Sequence, residues 1–175
     1  VRKLDELFAM HLPEKYYEAN EDITSECLIG GYVHGNEPSH HIPYLYAWTS
    51  QPWKTQYWVR EVMNRMYKNH IRGLSGNDDC GQMSAWYILS SLGFYEVEPA
   101  GGRYWFGTPL FDKAEIDVPA GVFTVIAENN SAENKYIQRV WLNGKEYRQP
   151  WISHADLTAG GELRIEMGAE KVLWY

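Results

Sequence analysis

Two short loops hold the residues whose types and spacing bear on chemistry: His34-Gly35-Asn36-Glu37-Pro38-Ser39-His40-His41 and Gly76-Asn77-Asp78-Asp79-Cys80-Gly81-Gln82. Each sets acids and carboxamides among glycines, just ahead of a helical pattern. Acids at helix N-termini have an ordinary explanation, because they meet free N–H groups and the positive end of the macrodipole. That explanation covers Glu37, Asp78 and Asp79 one at a time. It does not predict two such loops in one short helical stretch, nor the Gly and Asn around the acids, which bring backbone close to something. Two chemistries would use the set. Asn36, Glu37, Asn77, Asp78 and Asp79 offer oxygens of the kind Ca2+ takes, although the twelve-residue EF-hand spacing is absent. Paired carboxylates also do the acid–base work of glycoside hydrolysis. Capping, cation binding and catalysis all stay open on the residues alone.

Other chemistries find less support. His34, His40 and His41 suggest zinc, but a closed site needs three or four ligands and no HxxxH or CxxC partner is present. Adjacent His40 and His41 would also point to different sides of a helix. No Gly-x-Ser-x-Gly elbow, phosphate loop or dinucleotide fingerprint occurs. Asn129-Asn130-Ser131 matches a glycosylation sequon over three residues only. Cys27 and Cys80 make no disulfide framework, and one bridge or two reduced thiols fit the spacing equally.

The elements that must position the loops can be read from periodicity. Leu4, Leu7, Phe8 and His11 predict a first helix that Pro13 stops, followed by an extended loop over 14–31. Ile42, Leu45, Tyr46 and Thr49 predict one face of a second helix, with Pro43 kinking it or marking its start. A third helix is capped by Ser50, carries Pro52 in its first turn and ends near Gly73. Its apolar stripe is Val59, Val62, Met63, Met66 and Tyr67. A fourth runs over 82–92, with Trp86, Tyr87 and Ser90 on one side and Gly93 as its stop. After Pro99 the period changes to short β-rich runs at 114–118, 122–127, 136–142 and 163–167. Asn143-Gly144 is a strong hairpin signal. The expected fold class is α+β: about four helices over 1–98, then a small antiparallel β region over 99–175.

Composition bounds the function. The chain has 175 residues and a formal net charge of −7, which opposes a nucleic-acid footprint. No apolar run reaches the roughly 18–20 residues of a membrane span, and no signal-peptide pattern opens the chain. It begins without Met, as a mature product or a cut piece would. Aromatics make up 15%, mostly 13 Tyr and 8 Trp. Such rings suit sugar faces, and an aromatic core explains them as well.

With those loops in view, the sequence resembles glycoside hydrolase family 92. Residues 35–46 are similar to its GNEPxHHxxYLY motif and residues 76–87 to its GNxDxGQMSAWY motif. The stretches 92–99 and 104–111 continue the match, which reaches about residue 170. The resemblance implies a calcium-dependent exo-acting α-mannosidase that inverts the anomeric centre, α-1,2 linkages being expected. Such enzymes act on mannose-containing glycans and are often exported by bacteria to the periplasm or cell surface. It implies an N-terminal β-sandwich before a catalytic (α/α)6 barrel of twelve helices. By the same resemblance Asp79 is the expected general base, with Asp78 second. Asn36 and Glu37 are expected at the calcium or the mannose. Asn77 and Gln82 fall in the same shell. His40 and His41 would bond the sugar or hold the loop, with a structural role expected for at least one. One departure stands out: the family's upstream general-acid motif, of the form EGNxWQYxW, is missing. The chain therefore resembles a C-terminal piece, partnered by the sandwich and remaining barrel of a parent chain and inactive alone. A carbohydrate-binding or interaction module of the same descent, or a glycosidase of other linkage specificity, is the alternative.

Overall fold

The structure, a computed structural model, describes residues 1–18 and 25–175. Part of the expected loop over 14–31 thus lies outside the described residues. The remainder holds 3-10 turns at Glu14–Tyr16 and Ser25–Cys27 and a small hairpin of β1 (Leu28–Ile29) with β2 (Tyr32–Val33). Helix α1 spans Arg2–Ala9 and buries Phe8. His11 lies beyond its end.

The second helix differs from expectation. Residues Ile42–Trp48 wind as a 3-10 helix and bury Pro43, Tyr44, Tyr46 and Ala47. Residues three apart eclipse one another in that winding, so Pro43 aligns with Tyr46 and Tyr44 with Ala47. The expected face through Ile42, Leu45 and Thr49 is only partly buried. Ser50 does not cap the next helix: α2 covers Trp53–Met66 with Pro52 at its N-cap. Thr49 organises this entry instead, its hydroxyl donating to Tyr46 O (2.8 Å) and accepting from Gln51 N–H (3.1 Å). The helix stops short of Gly73, because residues 67–74 fold back. Lys68 N–H donates to Gly73 O at 2.9 Å, and a Cβ on Gly73 would sit 2.0 Å from Lys68 O. The expected stripe holds: Val59, Val62, Met63 and Met66 are all buried. Helix α3 covers Gln82–Leu92 and ends at Gly93 (φ +103°), as the sequence implies.

The rest is β, with one short helix, α4 (His154–Thr158). Strands β3 (Phe94–Tyr95), β4 (Arg103–Phe106) and β9 (Trp151–Ser153) form one antiparallel sheet. Strands β5 (Lys113–Val118), β6 (Gly121–Glu128), β7 (Tyr136–Leu142), β8 (Lys145–Glu146) and β10 (Gly161–Gly168) form another, in the order β5-β6-β10-β7-β8. The expected antiparallel pairing holds except between β6 and β10, which run parallel. Asn143 (φ +50°) and Gly144 (φ +76°) make the β7–β8 turn, both left-handed as a type I′ hairpin requires.

Two apolar clusters result. Inward residues of the larger sheet (Phe123, Val125, Ile137, Leu163, Ile165) meet Phe94, Phe106 and Ile152 of the smaller. The other cluster joins Phe8, Tyr32, Tyr44, Tyr46, α2 and Trp86, and takes in Trp105 from β4. A buried polar seam ties α2 to the β region. Arg60 Nη2 faces Thr108 Oγ1 (3.0 Å), Pro109 O (2.6 Å) and Asn130 Oδ1 (2.9 Å), and Gln56 Oε1 accepts from Ile137 N–H (3.0 Å). Those acceptors satisfy Nη2 of a guanidinium that burial would otherwise disfavour, while the buried Arg60 Nε has no hydrogen-bond partner among the described residues.

Candidate active site

The two loops meet each other. A Cβ on Gly35 would lie 2.4 Å from Ser75 O, and one on Gly76 would lie 2.4 Å from Gly35 O. The glycines therefore serve loop-to-loop contact. Cys27 Sγ adds a hydrogen bond to Ser75 O from below.

This junction brings Glu37 and Asp79 together from opposite loops. Burial pushes the Glu37 pKa up; a hydrogen bond from its own backbone offsets part of that, and the Asp79 carboxylate beside it raises it further. Glu37 Oε1 is buried and has no hydrogen-bond partner among the described residues. Asp79 itself is exposed. It is presented by unusual backbone: Asp79 (φ +41°), Cys80 (φ +59°) and Gly81 (φ +89°) are three successive left-handed residues. Only Gly visits that region freely, so Asp79 and Cys80 store strain where one acid faces another.

Asp78 and Asp79 separate in role. The Asp78 carboxylate turns to α3 and accepts from Ser84 N–H at 2.9 Å, and its carbonyl takes Met83 N–H at 3.3 Å. From three residues ahead of the N-cap, Gly81, the Asp78 carboxylate thus caps a free first-turn N–H of α3; Asp79 faces Glu37.

Beneath the pair lies a packed imidazole cluster. His34 is fully buried, with Nδ1 2.7 Å from Tyr32 OH and Nε2 2.7 Å from Tyr67 OH. Tyr67 OH donates to Met83 O (3.0 Å), so His34 Nε2–H donates to Tyr67 and Nδ1 accepts from Tyr32. Burial, with His40 nearby, lowers the His34 pKa to about 2, and the ring is neutral. His40 stacks on it at 4.7 Å between centroids. Its Nε2–H donates to His34 O (3.1 Å), with Met83 Sδ at 3.2 Å, and its Nδ1 accepts from Gln82 Nε2–H (3.1 Å). Gln82 also donates to Tyr95 OH (3.1 Å), and Trp86 Nε1–H donates to His40 O (3.0 Å).

Of the residues singled out from sequence, Glu37 and Asp79 thus meet directly, and His40 and Gln82 join in the layer below. Asn36, Asn77 and His41 are exposed on the same loops, and their side chains make no hydrogen bonds among the described residues. Sequence reasoning missed Tyr67 and Tyr95, whose hydroxyls complete the network, and treated His34 only as a zinc candidate. Its place directly before Gly35 was the available signal. Part of the aromatic excess goes into the core, where Tyr32, Tyr44, Tyr46 and Trp86 are buried, while Tyr16 and Trp48 are exposed.

Glu37 and Asp79 supply carboxylate oxygens, Asn36 offers a carboxamide at the edge, and the partnerless buried Glu37 Oε1 invites a cation or a proton. The set fits part of a calcium shell, which takes 6–8 oxygens. No group of three or more His, Cys, Asp or Glu suited to a metal occurs among the described residues. Further ligands would come from substrate, water or other chain.

The profile of the glycosyl hydrolase family 92 catalytic domain matches residues 1–169. A family GH92 α-mannosidase of Bacteroides thetaiotaomicron, solved with mannoimidazole, is 39% identical with a TM-score of 0.87 over 97% of this chain and 22% of its own. An inverting GH92 mannosidase of the same organism is 38% identical with a TM-score of 0.79, over 97% of this chain and 24% of its own. An uncharacterized secreted glycosidase of Arthroderma benhamiae is 31% identical over 144 residues, 80% of this chain and 19% of that protein. The chain spans about a fifth to a quarter of the length of these relatives.

Proposed function

This chain belongs to glycosyl hydrolase family 92, and from that membership we propose that it is the C-terminal portion of an inverting, calcium-dependent, exo-acting α-mannosidase. Its substrate is a terminal, α-1,2-linked mannose of a glycan. Residues 1–98 contribute to an (α/α)6 barrel and 99–175 form a β-rich appendage. The observation that carries this reading is the meeting of Glu37 and Asp79 across two loops, with Glu37 raised in pKa and Asp79 open to solvent. The mannosidase names of the two solved relatives support the substrate class.

In this reading Asp79 accepts a proton from the attacking water, which adds to the anomeric carbon opposite the leaving oxygen. Glu37 and Asn36 would hold Ca2+, which would supply polarisation of mannose hydroxyls there, and Asn77 and His41 line the exposed rim toward the sugar. Protonation of the leaving oxygen requires an acid on the other face, because inversion needs two carboxyls about 6.5–9.5 Å apart with a water between. The family's acid motif has no counterpart in this sequence, so the acid belongs to another part of the parent chain. General acid help is worth about 10²–10⁴-fold, and this portion alone is inactive. Export is supported by the printed name of the secreted relative, and no described helix is long and apolar enough to cross a membrane; a bacterial periplasm or cell surface is the proposed site.

The experiment is mannose release from α-1,2-mannobiose by the full-length protein and by the 175-residue chain, each with Ca2+ and with excess chelator. Calcium-dependent release by the full-length protein alone is expected. Undiminished release in chelator overturns the calcium assignment, and release by the short chain overturns the placement of the acid.

A further inference from the structure

We propose that His34 and His40 are positioning residues that set the spacing of Glu37 against Asp79, a role separate from any contact with sugar. The inference rests on the reading of Asp79 as the base and of Glu37 as the acid beside it that would hold the cation.

Glu37 sits three residues after His34 and three before His40, so the two imidazoles bracket it along the first loop. Both are almost wholly buried, at 0% and 2% exposure. Neither can reach a ligand on the solvent side without unpacking the core. Their partners lie just past Asp79. His34 reaches Met83 O through Tyr67 OH, by bonds of 2.7 and 3.0 Å. His40 takes Gln82 Nε2–H on one nitrogen, and its carbonyl takes Trp86 Nε1–H. His40 Nε2 closes the loop on itself at His34 O, 3.1 Å away. All four ring nitrogens are thus used, in one consistent tautomer pattern. The first loop is thereby fastened to the first turns of α3 on both sides of Glu37, and the strained segment at Asp79–Gly81 leads straight into those turns.

Isolated aromatic or aliphatic residues would fill the same space. Only a side chain with a donor and an acceptor at fixed separation transmits both bonds. Hydrogen bonds add direction that packing lacks, and a reacting group must be held to within about 0.5 Å of its productive place. Misplacement of about 1 Å can cost about 10²-fold in rate.

The test uses the full-length protein with α-1,2-mannobiose as substrate. His40→Leu keeps bulk and removes both bonds; His40→Gln keeps the Nε donor; Tyr67→Phe removes the hydroxyl that links His34 to Met83. Tyr46→Phe serves as control, because it deletes a hydrogen bond to Asp5 elsewhere in the same core. The expected result is a fall in kcat of about 10²-fold for His40→Leu and about 10-fold for Tyr67→Phe, with KM within about threefold. His40→Gln recovers part of the loss, and Tyr46→Phe leaves kcat unchanged. A crystal structure of His40→Leu should show Glu37 displaced from Asp79. Should His40→Leu not fold, Tyr67→Phe and His40→Gln decide alone. The proposal is overturned if the folded variants keep kcat within twofold of the unsubstituted protein, or if KM alone changes, which indicates sugar contact. Should the unsubstituted protein release no mannose, the mannosidase reading fails. The Glu37–Asp79 spacing in the variant structure then judges this inference by itself.

Discussion

Gly35 and Gly76 pack backbone against backbone, so that a Cβ on Gly76 would stand 2.4 Å from Gly35 O and 2.6 Å from its Cα. This contact explains why each acidic loop carries glycine at that place. It is also what brings Glu37 of one loop to Asp79 of the other. Gly76→Ala is expected to destabilise the protein by about 1–3 kcal/mol, as forced overpacking does, and to separate the two acids. Chemical denaturation measures the first effect; unchanged stability would mean that the loops are not locked here.

Glu37 makes stability depend on pH in a defined direction. Its folded pKa is raised above the ordinary value of 4.5, foremost by burial. The folded state therefore holds that proton more tightly than the unfolded chain. Its contribution to stability is present below about 4.5 and is lost as pH rises from there through the folded pKa. Glu37→Gln should flatten this part of the profile and raise stability at pH 7. Urea midpoints from pH 4 to pH 8 check it; an unchanged slope in the variant contradicts the burial of an ionisable Glu37.

The neighbouring acids should separate in mutagenesis. Asp78 accepts from Ser84 N–H at the start of α3, so Asp78→Ala should cost about 1 kcal/mol of stability, the usual value of a lost cap. Asp79→Asn removes a charge facing Glu37 and should cost no stability. Thermal unfolding of the two variants, side by side, distinguishes them; equal losses would refute the assignment of Asp78 as the cap.

Arg60 is the joint between α2 and the β region. Its guanidinium serves Thr108, Pro109 and Asn130, and unsatisfied buried acceptors cost about 1–3 kcal/mol each. Arg60→Met should therefore lower stability by about 3 kcal/mol or more. A loss below about 1 kcal/mol in guanidinium unfolding would show that the seam contributes little.

Much of this fold was legible because local signals agree with the tertiary outcome. Helix α3 follows its glycine stops, and Asn143-Gly144 turns where left-handed residues were needed. The 3-10 winding of 42–48 was not legible, since Pro43, Tyr44, Tyr46 and Ala47 read equally as part of an α-face until packing selects the period. The fold-back after Met66 depends on Gly73 meeting Lys68, a contact across a loop. Parallel pairing of β6 with β10 joins strands far apart in sequence. At the site, residue types pointed to the two loops, but the roles of Asp78 and Asp79 differ only through backbone angles at 79–81. The Tyr67 and Tyr95 hydroxyls read as ordinary core aromatics, because their partners come from other elements.

The most direct test of the central claim is turnover of α-1,2-mannobiose by the full-length protein carrying Asp79→Asn, followed as mannose released with Ca2+ present. The account predicts a folded protein whose kcat falls by several orders of magnitude while Asp78→Asn keeps most of its activity. Normal turnover in folded Asp79→Asn would contradict it.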